Sequence, residues 1–147
     1  FTDEKIQEVL NTDMVLSTSH ADCVLQACKR ILDAKDHNEK VFVGGDYDAD
    51  GICSTAIMKK TLDQLGIANG YYIPDRFKEG YGLNKKTVEL AFEKGYSLII
   101  TVDNGVKAHE ALERAKELGM DVIVTDHHEI EEEVEADILV HPDFMEE

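Results

Sequence analysis

The sequence predicts an open, doubly wound α/β sheet, mainly parallel, with five strands and helices on both faces. Three observations carry this. Short apolar runs without period-two alternation recur along the chain (VFV, YYI, LIITV, VIV, ILV), as expected of strands buried on both faces. Stretches with helical spacing stand between them, which is the βαβ pattern of a parallel sheet. Three of the runs end directly in acidic residues or histidines: Asp46/Asp48/Asp50, Asp103, and Asp126/His127/His128. In open α/β sheets, ligands bind outside the carboxyl ends of the strands.

Taken in order, residues 2–19 give a mixed signal, an irregular lead-in with one short helix expected around Glu4 to Leu10. From His20 to Ala34, Val24, Leu25, Cys28, Ile31 and Leu32 recur at helical intervals and predict one apolar stripe. Val41 to Val43 predicts the first strand, broken at Gly44 and Gly45. Gly51 is expected to close the acidic turn. A helix over about Ile52 to Leu65 should then bury Ile57, Met58, Leu62 and Leu65 and stop at Gly66. Gly70 to Asp75 predicts a second strand ended by Pro74, and Arg76 to Asn84 an ordered loop. Asn84 is placed to cap a helix to about Lys94, with Val88, Ala91 and Phe92 inward and Gly95 ending it. A third strand runs into Asp103. A helix from about Lys107 to Leu118 follows, presenting Ala111, Leu112, Ala115 and Leu118, and the fourth strand runs into Asp126. Residues 129–137 hold six acids among nine residues and predict an exposed helix or turn, before a fifth strand at Ile138 to Val140.

The chain of 147 residues, 43% hydrophobic, is expected to form a single domain with a full core. Its formal charge of −16 gives no basic footprint of the kind nucleic-acid binders show, so an anionic substrate would need metal ions or another part of a longer protein. Cys23, Cys28 and Cys53 make neither a disulfide framework nor a metal-type pair, which favours a reduced, cytoplasmic setting. Core packing is the expected role of Cys53. No run reaches the roughly 18–20 apolar residues of a membrane span, and no signal peptide is visible. Because the chain opens at Phe1, a fragment of a longer protein is expected.

Three carboxylates within five residues repel one another unless a cation sits among them, and oxygen ligands of this kind suit Mg²⁺ or Mn²⁺. Carboxylates with an imidazole fit a pair of divalent ions about 3.5–4 Å apart, as used in phosphoester hydrolysis. DYDADG also matches the opening of a calcium-binding EF-hand loop. The twelfth position is Ile57 where a bidentate Glu is needed, and a strand precedes the motif, so that reading fails. The DxDG turn of haloacid-dehalogenase-type phosphatases, with its nucleophilic Asp, stays open as the enzymatic alternative.

GDYDADGICSTA, IPDRFKEGYGLN, TVDNGV and VTDHHE, in this order, resemble the N-terminal half of RecJ-type single-strand-specific exonucleases of the DHH phosphoesterase family. The resemblance covers about Ala21 to Pro142. It implies Mn²⁺- or Mg²⁺-dependent hydrolysis of phosphodiesters in single-stranded DNA, in the 5′-3′ direction, in DNA repair and recombination. It implies Asp48, Asp50, Asp103 and His127 as metal ligands, with Asp46 as a further candidate. His128 would face the scissile phosphate and Asp126 would orient the histidines. Arg76 and Tyr81 are candidates to line the substrate groove, a structural salt bridge being the alternative for Arg76. His20, His37, His109 and His141 belong to no constellation.

Two departures from the family pattern stand out. Many members carry a His where this chain has Gly44, and the family's further metal-binding Asp lies beyond Glu147. The DHH-associated domain and an OB-type domain are absent too, so the fragment alone is expected to be nearly inert. Other DHH activities (on short oligonucleotides or cyclic dinucleotides) and a catalytically silent scaffold are the remaining alternatives.

Overall fold

The computed structural model describes Thr2, Glu4, Ser19 and residues 21–145. The helix expected around Glu4 to Leu10 falls almost wholly outside them.

The elements run α1 (Asp22–Asp36), β1 (Val41–Gly44), α2 (Ala49–Gln64), β2 (Asn69–Tyr72), α3 (Lys85–Glu93), β3 (Leu98–Val102), α4 (His109–Glu117), β4 (Asp121–Thr125), β5 (Ile138–Val140) and a 3₁₀ turn (Pro142–Phe144). All strand pairs are parallel and the order is β2-β1-β3-β4-β5. The order reverses direction between β1 and β3, the position at whose carboxyl edge open α/β sheets bind ligands.

Each central strand sends alternate side chains to opposite faces. Phe42, Ile99, Val122 and Val124 join Val88 and Ala91 of α3 and Ala111, Leu112 and Ala115 of α4 in one core layer. Val41, Val43, Leu98, Ile100, Val102 and Ile123 meet Ala27 and Ala34 of α1 and Leu62 of α2 in the other. Among the described residues, two helices therefore cover each face, and helices on both faces are what the sequence predicts.

Which side of each helix faces the sheet differs in part from expectation. In α1, Leu25, Cys28 and Leu32 are exposed, and the sheet is met by Ala27, Ile31 and Ala34. Helix α2 begins at Ala49 rather than Ile52, so Gly51 lies in its first turn, and Ile57 points to solvent at 68% exposure. Phe92 and Cys53 are exposed as well. A helix lying on a sheet comes closest where its side chains are small, so alanines occupy the contact and larger apolar residues are displaced to the flanks.

The acid-rich segment 129–137 forms no helix. Like charges at Glu129/Glu133 and Glu131/Glu135 would stack one turn apart in a helix and repel. Instead Glu131 and Glu135 pair with Lys107 and Lys116 of the α4 region, and Ile130, Val134 and Ala136 pack on the first core layer.

Candidate metal centre

The first acidic turn is built by close packing. A Cβ on Gly51 would lie 2.5 Å from the Asp46 carbonyl oxygen, and one on Gly45 would lie 2.1 Å from Thr55 Oγ1. Only glycine lets the N-terminus of α2 settle against the end of β1. Asp48 is the N-cap of α2, accepting from the Gly51 N–H at 2.7 Å, and Asp50 stands in the helix's first turn.

At the end of β3, Asp103 adopts a left-handed backbone with φ of 59°. Asp tolerates that conformation better than most residues. The turn is held by Asn104, which is fully buried. Its amide N–H groups donate to Gly44 O at 3.0 Å and Val102 O at 2.9 Å, and its Oδ1 accepts from Leu83 N–H at 3.0 Å. One side chain thereby ties β1, β3 and the loop before α3 together at this edge.

Beyond β4, Asp126 organises the two histidines. Its Oδ1 accepts from the backbone N–H groups of His127 (2.8 Å) and His128 (3.2 Å) and from His128 Nδ1 (2.6 Å), while Oδ2 accepts from Val106 N–H at 3.1 Å. The imidazoles of His127 and His128 stack with centroids 4.6 Å apart. His127 Nδ1 lies 3.2 Å from Asp103 Oδ1. Ligand-type atoms of Asp103, Asp126, His127 and His128 all fall within 4.8 Å of one another.

Burial, then the neighbouring Asp48 carboxylate, raises the pKa of Asp103. Burial acts the same way on Asp126, but hydrogen bonds from His128, Val106 and His127 outweigh it and hold that carboxyl below its ordinary range. The bond to Asp126 raises His128 in turn. Tyr81 is pushed well up by burial and by the surrounding carboxylates, Asp126 and Asp46 foremost, so it stays a neutral hydroxyl. Its Oη donates to the Asp103 carbonyl at 2.8 Å and stands 3.2 Å from the His128 ring nitrogens.

Asp46 is fully buried, and among the described residues neither of its carboxylate oxygens has a hydrogen-bond partner; Oδ2 of Asp103 has none either. Buried polar atoms are almost always paired, and an unpaired buried carboxylate costs several kcal/mol. Orphaned carboxylate oxygens beside an imidazole are the donor set for a hard divalent cation, so the residues present fit Mn²⁺ or Mg²⁺. A Cβ at Gly44 would lie 3.3 Å from Leu83 Cδ1, so any side chain there would need Leu83 to shift by a few tenths of an ångström. Asp46 offers its carboxylate two residues further on.

Two cavities flank the histidine turn. One, of about 400 Å³, is lined by Asp50, Ser54, Asp103, Thr125, Asp126 and His127 among others. The other, of about 370 Å³ and mostly apolar, lies between Tyr81, Leu83, Val106, Lys107 and His128. Asp46, Asp48, Asp50, Asp103, Asp126, His127, His128 and Tyr81 thus share the edge that the sequence pointed to. Arg76 sits further out, its guanidinium 5.7 Å over the Tyr47 ring and in no ion pair among the described residues. Tyr47 in turn packs edge-on against Tyr81. Sequence reasoning missed Tyr47, Asn104 and His141. Tyr47 and Asn104 lie inside the motifs GDYDADG and TVDNGV, and His141 directly follows β5 at the same edge.

An α/β sheet with carboxylates and paired histidines at its carboxyl edge presents the donor set of a divalent-metal site. Residues 40–146 match the model of the DHH family, N-terminal domain, and the chain belongs to that family. This sets aside the dehalogenase-type alternative. Among curated relatives, the chain is 50% identical over 118 residues to the single-stranded-DNA-specific exonuclease RecJ of Bacillus subtilis (strain 168), covering 80% of this chain and 15% of that protein. It is 38% identical over 144 residues to RecJ of Haemophilus influenzae, covering 97% of this chain and 24% of that one. Among solved structures, exonuclease RecJ bound to manganese superposes with a TM-score of 0.81 at 35% identity, covering 88% of this chain and 33% of the other. RecJ from Thermus thermophilus in complex with Mn²⁺ gives 0.75 at 31%, covering 91% and 20%. The chain therefore spans between 15% and 24% of the length of these two curated relatives. Among the described residues no helix is long and apolar enough to cross a membrane.

Proposed function

We propose that this chain carries the greater part of the metal site of a phosphodiester hydrolase that acts on single-stranded DNA from the 5′ end, in repair and recombination. The observation that carries the reading is the convergence of orphaned carboxylates at Asp46 and Asp103 with the His127–His128 turn at one sheet edge. Asp48, Asp50, Asp103 and His127 hold divalent cations, Mn²⁺ or Mg²⁺, with Asp46 as a further ligand where Gly44 stands. Bound ions would supply charge neutralisation at the phosphoryl oxygens and acidify a water. His128 faces the scissile phosphate, held by Asp126. Tyr81 lines the groove, and Arg76, free of acidic partners among the described residues, is placed to take a phosphate. No side chain serves as nucleophile.

The relatives' names, the family membership and the manganese in the neighbouring structures support this reading. A cytoplasmic setting follows from the same proposal. The remaining ligand would be the family's further Asp, some fifty or more residues past the His127–His128 turn, and the DNA channel would come from C-terminal DHH-associated and OB-type domains. A net charge of −16 leaves this chain unable to attract a DNA strand by itself. On 5′-labelled single-stranded DNA with Mn²⁺, this chain should be nearly inert, and a chain extended to the relatives' length should degrade the strand. Equal rates from both would refute the division. The catalytically silent scaffold is favoured only by Gly44; an absence of Mn²⁺ binding and of nuclease activity in the extended chain would establish it.

A further inference from the structure

We infer that His141 is a positioning residue for the His127–His128 turn, an inference that rests on the hydrolase reading and adds a residue to it. His141 directly follows β5 and is only 3% exposed. Its Nε2 stands 2.7 Å from the carbonyl oxygen of His128. Two lone pairs could not face each other at that distance, so Nε2 carries the proton and donates. The other ring nitrogen, Nδ1, is left to accept from the Asp143 backbone N–H at 3.2 Å. Phe144 closes over the ring edge-on. Both nitrogens of a buried imidazole are thus committed, and one of them reaches the backbone of a residue placed at the scissile phosphate.

His128 is consequently held on two sides. Asp126 accepts from its backbone N–H and its ring Nδ1–H, and His141 donates to its carbonyl. The second hold matters because the chain leaves His128 for segment 129–137, which has no regular structure and carries six acids among its nine residues. Electrostatic pull on that segment would act on the turn through the peptide bond after His128. The His141 contact anchors that bond to β5, whose register on β4 is fixed by Ile123–Ile138, Val124–Leu139 and Thr125–Val140 pairing. A leucine would fill the same space without a buried polar group to satisfy, so a filled volume alone does not account for a histidine here.

The test uses His141→Phe, which keeps a planar ring and removes both hydrogen bonds, and His141→Gln, whose amide N–H can reach the same carbonyl. His141→Met replaces the Phe variant if the larger ring prevents folding. In this chain, ¹⁵N spectra of the imidazoles should show the His128 resonances displaced in His141→Phe and restored in His141→Gln. In a chain extended to the relatives' length, His141→Phe should lower kcat about 10- to 100-fold with KM within about twofold. His141→Gln should return kcat to within about threefold. Unmoved His128 resonances with parental kcat, or a loss that only parallels unfolding and that Gln does not rescue, would overturn the inference. Should Asp103→Asn leave the extended chain fully active, the hydrolase reading falls instead, and the imidazole spectra alone decide the role of His141.

Discussion

The two edges of the sheet handle charge in opposite ways. At the amino edge, Arg30 of α1 donates to both carboxylate oxygens of Glu39 at 2.9 Å and to Asp121 at 2.9 Å, and Ser97 donates to Glu39 at 2.7 Å. Asp137 caps the Val122 N–H at 2.7 Å. Each of these acids has a partner, and the network joins α1 to the starts of β1, β3 and β4. At the carboxyl edge, Asp46 is buried with no partner for either oxygen among the described residues, and Asp103 shares its space with Asp48. One edge is complete as the chain folds. The other gathers carboxylates whose mutual repulsion a bound cation would relieve.

The sharpest break between the edges should come from Asp103→Asn. Losing that carboxylate is expected to weaken Mn²⁺ binding on the order of a hundredfold or more, since removing even a supporting contact costs 10- to 100-fold. Isothermal titration would measure it. The same variant should raise the unfolding midpoint of the metal-free chain. A carboxyl whose folded pKa is raised opposes folding once the pH is above its ordinary value, and Asn removes that opposition. A lower midpoint without metal would show that the edge is not under strain.

Next in size is metal itself. Mn²⁺ at a hundred times its dissociation constant should stabilise the parent by about 2.7 kcal/mol, and EDTA should reverse this. Asp46→Asn should lose much of that gain. Calorimetry with and without Mn²⁺ separates the two variants from the parent.

Arg30→Ala tests the complete edge. The Arg30 and Glu39 side chains are 19% and 22% exposed, so their doubly bonded pair is better sheltered than a surface bridge. Its loss should cost about 1–2 kcal/mol, or roughly 3–6 °C in midpoint at this size, without changing Mn²⁺ affinity. The smallest effect is its pH dependence. The hydrogen bond from Arg30 holds Glu39 below its ordinary value of 4.5. A lowered carboxylate contributes stability above that value and loses it as the pH falls through the folded pKa. The stability difference between the parent and Glu39→Gln should therefore be steady near neutrality and shrink below about pH 4.5. A difference that grew in acid would mean another group dominates.

Much of this was readable before any coordinates. Asp48, Asp103, Asp126, His127 and His128 were visible because a parallel sheet brings strand ends to one side, and an apolar run followed by an acid marks such an end. Helix faces were read less well. Periodicity finds the stripe of large apolar residues in α1, yet the sheet is met by Ala27 and Ala34, whose small size no hydrophobic pattern emphasises. Composition predicts a helix or turn for the acid-rich segment, while its partners, Lys107 and Lys116, lie more than fifteen residues from the acids they pair with. Asn104 and His141 act by hydrogen bonds to backbone groups distant in sequence, and no spacing announces such bonds.

The left-handed backbone at Asp103 also shapes which replacements the chain would accept. Most residues lose roughly 1–2 kcal/mol in that conformation, whereas Asn and Gly adopt it readily. Alanine at 103 would therefore combine a conformational penalty with the missing ligand, and a low yield would be mistaken for a functional defect. A library randomised at this codon and sorted for folding alone should enrich Asn and Gly beside Asp and deplete Val and Ile. Sorted for Mn²⁺ retention, it should collapse to Asp. The distance between those two sets is the portion of this position's identity owed to the metal rather than to the turn.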